Sequence, residues 1–224
     1  MIHTFLLFYK SVRDFPQCKN IMDRVIQKTD TVKTSNCDIE ELKHFKTSNF
    51  DVIKKCNDVQ NFMSEIQNNT YNIPKESSCI YLYYWLYQEN NRVNNSNEIK
   101  KIYDAVIKVF HDDLIVQCTN YKDIIIVDDE MLKFNDLLDM YTKLNNSCTQ
   151  KCQCLKGCAD LYIKHVQTCK KYNNTYFCKE LLNLKGQYEK GMMNENCEPG
   201  VPKTLPSLQS YNIITLTLIP VFVT

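Results

Sequence analysis

The residues of this chain best suited to chemistry are its cysteines. Twelve of them, Cys18, Cys37, Cys56, Cys79, Cys118, Cys148, Cys152, Cys154, Cys158, Cys169, Cys178 and Cys197, are spread along 224 residues and are densest from 148 to 158. An even count over so long a stretch suits disulfides formed in an oxidising compartment. The pairing stays open, since twelve cysteines allow on the order of ten thousand complete connectivities. Cys148 and Cys152, like Cys154 and Cys158, are four apart. On a helix such pairs share a face, so each sulfur is expected to meet a partner from another element and not its neighbour. Zinc is the alternative: Cys148, Cys152, Cys154 and Cys158 supply four thiolates, with His165 near them in the chain. Tetrahedral zinc commonly draws its ligands in pairs from turns, and intervals of three, one and three residues along a helix would splay the sulfurs. A third reading keeps the cysteines as reduced, buried thiols.

The other reactive types form no constellation. His3, His44, His111 and His165 belong to no His-Glu-x-x-His pattern, and no protease-type cysteine signature is present. Asp112-Asp113 and Asp128-Asp129-Glu130 read as charges at helix ends. Only four glycines occur, the first at Gly157. Phosphate-cradling glycine loops and calcium loops that need a central glycine are therefore excluded before that point. Lys plus Arg is 27 against 26 Asp plus Glu, a net charge of +1. That balance argues against nucleic-acid binding, which needs a basic excess. The reading is of a protein without catalysis, cofactor or metal.

Positioning these residues falls to helices. Proline is absent between Pro16 and Pro74, and again from there to Pro199. Met1 to Asp14 is expected to pack as an N-terminal turn or helix, being too short in apolar residues for an ordinary secretory signal. Pro16 suits the first turn of a helix carrying Cys18, Ile21, Met22, Val25 and Ile26. A short helix is expected from Asp38, a longer one over Asp51 to Gln67, and one from Glu98 to Cys118 with a capping-box pattern at Asn95 and Glu98. Cys79 to Tyr87 is apolar or aromatic on every side, as the central helix of a bundle is. Asp129 is expected to cap a further helix, and Cys148 to Tyr172 and Phe177 to Tyr188 give two more. Ile124 to Val127 is the one β-type run. The expected fold is all-α: an irregular multi-helix bundle with disulfides, followed by a Pro-rich linker and a C-terminal apolar segment. The boundaries are a helical Cys-rich domain over 1–190, a linker over 191–210 and an apolar stretch over 211–224. Ile213 to Val223 is read as the start of a membrane span, with a strand or helix docked on the domain as the alternative.

Two stretches taken together point to a family. One is Cys79-Ile-Tyr-Leu-Tyr-Tyr-Trp-Leu-Tyr87, with Cys79, Tyr81, Tyr84, Trp85 and Leu86 as its marked positions. The other is Cys154-Leu-Lys-Gly-Cys158-Ala-Asp-Leu-Tyr162, then Cys169, then Tyr176-Phe177-Cys178-Lys-Glu-Leu-Leu182 and Tyr188. In this second stretch Cys158, Leu161, Tyr162, Cys169, Phe177, Cys178 and Leu181 carry the likeness. From about Asp14 onward the chain resembles the Plasmodium interspersed repeat proteins, most closely their Vir members. Its wealth of Asn, Lys, Tyr and Ile, with only two alanines, agrees with an AT-rich genome.

The resemblance implies a variant antigen of the blood-stage malaria parasite, exported to the infected erythrocyte, at its membrane or surface. It implies a helical ectodomain, no ordinary signal peptide, a transmembrane helix near the C-terminus and then a short basic tail. The present sequence reaches Thr224 inside the apolar segment, without that tail. The implied roles are antigenic variation, immune evasion and host-cell adhesion. The implied partners are a host cell-surface protein or an antibody, with the membrane met through the C-terminal segment. Polar segments expected to carry variation are Asp30–Cys37, Asn68–Ser77, Asn90–Asn97, Asn145–Ser147 and Lys170–Thr175. The competing function is a cytosolic zinc- or redox-regulated binding protein using Cys148, Cys152, Cys154 and Cys158.

Overall fold

A computed structural model describes residues 2–28, 36–46, 50–68, 71–90, 96–110, 118–119, 128–145, 148–172 and 175–209. Among these residues the fold is all-α, without strands. The chain forms two compact units, Met1–Asn145 and Asn146–Thr224. The sequence reading has a single helical domain over 1–190; the contacts divide the chain earlier, in the polar stretch that precedes the cysteine cluster.

The first unit begins with α1 (Ile2–Ser11), a 3-10 turn (Val12–Asp14) and α2 (Phe15–Lys28). Pro16 sits in the first turn of α2, where its missing N–H costs nothing. Next come α3 (Glu40–Lys43) and α4 (Val52–Asn68). The Lys54 N–H donates to Asp51 Oδ1 at 3.2 Å, so Asp51 closes an open donor at the start of α4. After Pro74 come α5 (Lys75–Glu89), α6 (Ser96–Val109) and α7 (Asp128–Leu144).

The all-round apolar α5 is the hub. It packs on α1, α2, α4 and α6 and buries Ile80, Tyr81, Leu82, Tyr83, Trp85, Leu86 and Tyr87. A helix with neighbours on every side needs no polar face, and this explains a sequence that has none. Beside it, Phe8, Phe15, Tyr84 and Phe134 form an aromatic cluster with ring centroids 4.1 to 5.5 Å apart along its contacts. Phe62 of α4 joins through Tyr81 at 5.5 Å. The Glu98–Cys118 helix expected from sequence is shorter: α6 stops at Val109, Phe110 is non-helical and 111–117 lie outside the described residues. The β-type run Ile124–Val127, Asn95 of the capping pattern and 211–224 also lie outside them.

The second unit is a helical hairpin, α8 (Lys151–Lys171) and α9 (Tyr176–Met192), followed by a non-helical strap, residues 195–209. Thr175 caps α9 through its side chain, which accepts the Cys178 N–H at 3.2 Å. The two helices pack on each other, burying Leu155, Ala159, Tyr162 and Val166 of α8 and Phe177, Leu181, Leu184 and Tyr188 of α9; Leu205 and Leu208 of the strap are buried as well. Gly200, at φ +121°, makes the turn after Pro199 that only glycine enters easily. Among the described residues no helix is long and apolar enough to cross a membrane.

Candidate functional site

Ten of the twelve cysteines form five disulfides: Cys37–Cys56, Cys79–Cys118, Cys148–Cys154, Cys152–Cys197 and Cys169–Cys178. Cα–Cα distances run from 5.2 to 6.6 Å, within the reach of the bond. Cys18 and Cys158 are instead buried thiols outside any disulfide, which corrects their place among the candidate bridge residues. The reason is arithmetic. The first unit contains Cys18, Cys37, Cys56, Cys79 and Cys118, and the second contains the other seven, so each unit has an odd number and one thiol left over. Burial is the main force pushing the Cys18 thiol well above its ordinary pKa, with the Asp14 carboxylate adding to it.

The expectation for the dense cluster holds in part. Cys148 does not bond Cys152, and Cys152 reaches Cys197, 45 residues away in the strap. Cys148 does not lie on the helix, however. α8 begins at Lys151, and the preceding residues fold back so that Cys148 meets Cys154 within its own first turns. A non-helical lead-in frees Cys148 from the one-face geometry of a four-residue spacing. Three of the four thiols of the zinc reading are thereby consumed in bridges. His165 packs edge-on against Phe177 at 4.9 Å. Among the described residues no group of three His, Cys, Asp or Glu side chains is placed to hold a metal.

The motif residues of the resemblance are structural. On α5, Cys79 is bridged, Tyr81 lies 5.2 Å from Phe15, and Leu86 is fully buried. Tyr84 donates its hydroxyl to Asn135 Oδ1 at 3.1 Å. Trp85 is covered by the Lys55 ammonium 5.0 Å above its ring, and the same lysine pairs with Glu89. In the second unit Cys169–Cys178 closes the α8–α9 hairpin, Phe177 and Leu181 are core, and Leu161 is half-buried. Tyr162 donates to the Pro206 carbonyl at 3.0 Å and Tyr188 to the Pro202 carbonyl at 2.6 Å. Burial raises both phenols, Tyr188 to about 12, with the Cys158 and Asp160 charges adding to it.

These two contacts change the meaning of the expected linker. α9 ends at Met192, before the first of these prolines at Pro199, and the segment that carries them is docked. Lys185 Nζ donates to the Leu205 carbonyl at 2.7 Å, and the Leu205 N–H donates to Glu189 Oε1 at 3.1 Å. Lys185 and Glu189 also pair with each other one turn apart on α9. That spacing is visible in sequence as an ordinary helix-surface pair, so nothing in it announces a docking site.

The polar segments are rooted by sulfur. Cys37 ends the first and is tied to α4; Cys79 stands two residues after the second; Cys148 follows Asn145–Ser147; Cys169 and Cys178 bracket Lys170–Thr175. Asn90–Asn97 alone has no bridged neighbour so near. Asn36, Asn68, Asn72, Asn97, Tyr172 and Thr175 of these segments are exposed; 30–35, 69–70, 91–95, 146–147 and 173–174 lie outside the described residues. Comparison with protein-family models, with curated proteins and with solved structures finds no match.

Proposed function

We propose that this protein is a display scaffold of the Plasmodium interspersed repeat type, a variant antigen exported to the infected erythrocyte. The observation that carries the reading is the rooting of four of the five polar segments by bridged cysteines. A covalent root fixes where a loop leaves the core. Substitutions within the loop then leave the helix packing unchanged, and this is what a surface must do to vary without unfolding. Disulfides also persist in oxidising surroundings and are reduced in ordinary cytosol. With Cys148, Cys152 and Cys154 in bridges, this supports an exported protein over a cytosolic zinc or redox regulator. The partner of such a scaffold is an antibody or a host surface protein, met at the polar segments, and the apolar 211–224 stretch would bring the chain to a membrane.

The test is localisation with a conformation-dependent probe. Antibodies raised against the oxidised chain should stain infected erythrocytes outside the parasite, and reduction of the antigen should abolish most of the binding. Staining confined to the parasite cytosol would contradict the reading.

A further inference from the structure

The five bridges fall into two classes of burial. Cys37, Cys56, Cys79, Cys118 and Cys169 are 0% exposed and Cys178 is 3% exposed. Cys148, Cys152, Cys154 and Cys197, which make the other two bridges, are all half-buried and sit together at the start of α8. We propose that Cys148–Cys154 and Cys152–Cys197 form a reversible redox site, open to a dithiol reductant, whose reduction releases the strap over 195–209 while the three buried bridges keep both helical cores intact. This stands independently of the display reading.

The chemistry needs access before it needs reactivity. A thiolate must approach a sulfur along the S–S axis, which close packing around the buried bridges denies. At Cys152–Cys197 the reductant thiolate attacks one Sγ, the S–S bond breaks and a mixed disulfide forms. The second thiolate of the reductant then attacks its own bound sulfur, closes a cyclic disulfide and expels the cysteine. Two electrons and two protons pass from the dithiol to Cys152 and Cys197. Cys148–Cys154 reacts in the same way.

The strap is built to respond. Beyond Cys197 it is held by four hydrogen bonds, three donated by Tyr162, Tyr188 and Lys185 and one accepted by Glu189, and by two buried leucines, Leu205 and Leu208. No regular element stands between Cys197 and Gln209 to stiffen it. Cutting Cys152–Cys197 restores to this stretch the freedom that a crosslink across 45 residues removes. Opening of a segment held by few contacts then becomes frequent. Lys203, exposed on the strap, reports the opening as a trypsin site.

The intact chain is treated natively with limiting dithiothreitol, quenched with iodoacetamide and mapped by mass spectrometry. Cys148, Cys152, Cys154 and Cys197 should become alkylated about tenfold faster than the six buried bridge cysteines. Trypsin cleavage after Lys203 should accelerate about tenfold while far-ultraviolet circular dichroism is unchanged. The double variant Cys152→Ser, Cys197→Ser should cleave at the fast rate without reductant. Even reduction of all five bridges, or reduction of these two with no change at Lys203, overturns the proposal. So does a helical double variant cleaved as slowly as the parent. If the variant fails to fold, the two measurements on the unmodified chain decide.

Discussion

Phe134 of α7 meets Phe8, Phe15 and Tyr84 at centroid distances of 4.1, 5.1 and 5.2 Å, with no exposed surface of its own. Truncation there removes the ring from these three contacts and from a wider one to Tyr9 at 6.4 Å, and leaves a void that close packing fills poorly. Phe134→Ala should cost about 3–5 kcal/mol in denaturant unfolding. A loss below 1 kcal/mol would show that this cluster is not the core. Tyr188 carries a pH signature. Its folded pKa is raised from 10.0 to about 12, chiefly by burial. The folded chain therefore holds that proton more tightly than the unfolded chain does. The contribution is intact below pH 10.0 and fades as pH rises toward about 12. Strap docking, read as protection of Lys203 from a protease active at high pH, should weaken across that window in the parent. In Tyr188→Phe the Pro202 carbonyl loses its donor, and protection should start lower and change less with pH. The packing role of these residues was legible as apolar spacing. The docking role of Tyr188 was not, because its partner is a backbone carbonyl that any residue could supply.

At the scale of elements, the hydrophobic period located the helices and their faces but not every end. α5 declared itself by lacking a polar side, and α4 by its apolar stripe; the Asp51 contact at the start of α4 emerged only in the structure. α6 stops at Val109, short of the expected Cys118. A period shows which face is buried, not where the chain leaves the helix. The pairing of cysteines is equally hidden, since it depends on which ends meet in space. The entropic model orders the bridges by enclosed length. Cys79–Cys118 spans 39 residues and Cys148–Cys154 only 6. Replacing both cysteines by serine should cost about 4 kcal/mol for the first and about 2 kcal/mol for the second. Equal costs in equilibrium unfolding would mean that burial of the sulfurs, not loop closure, sets their contribution.

Across the whole molecule, sulfur closes each unit on itself: every disulfide joins two residues of the same unit. Residues 1–145 expressed alone under oxidising conditions should form Cys37–Cys56 and Cys79–Cys118 and leave Cys18 reduced, as mapped by mass spectrometry. Scrambled bridges would show that this unit needs the rest of the chain to fold. The all-α class was readable in the scarcity of glycine and proline. The division near Asn145 was not, because a polar, Asn-rich stretch is equally ordinary inside a domain and between two. The central claim is a scaffold clamped by five bridges. It is tested most directly by denaturing the native chain without reductant, alkylating and mapping it. The account predicts two alkylated cysteines, Cys18 and Cys158, with the other ten recovered as the five pairs described. Recovery of most cysteines as alkylated thiols, or of zinc released in proportion to protein, would contradict it.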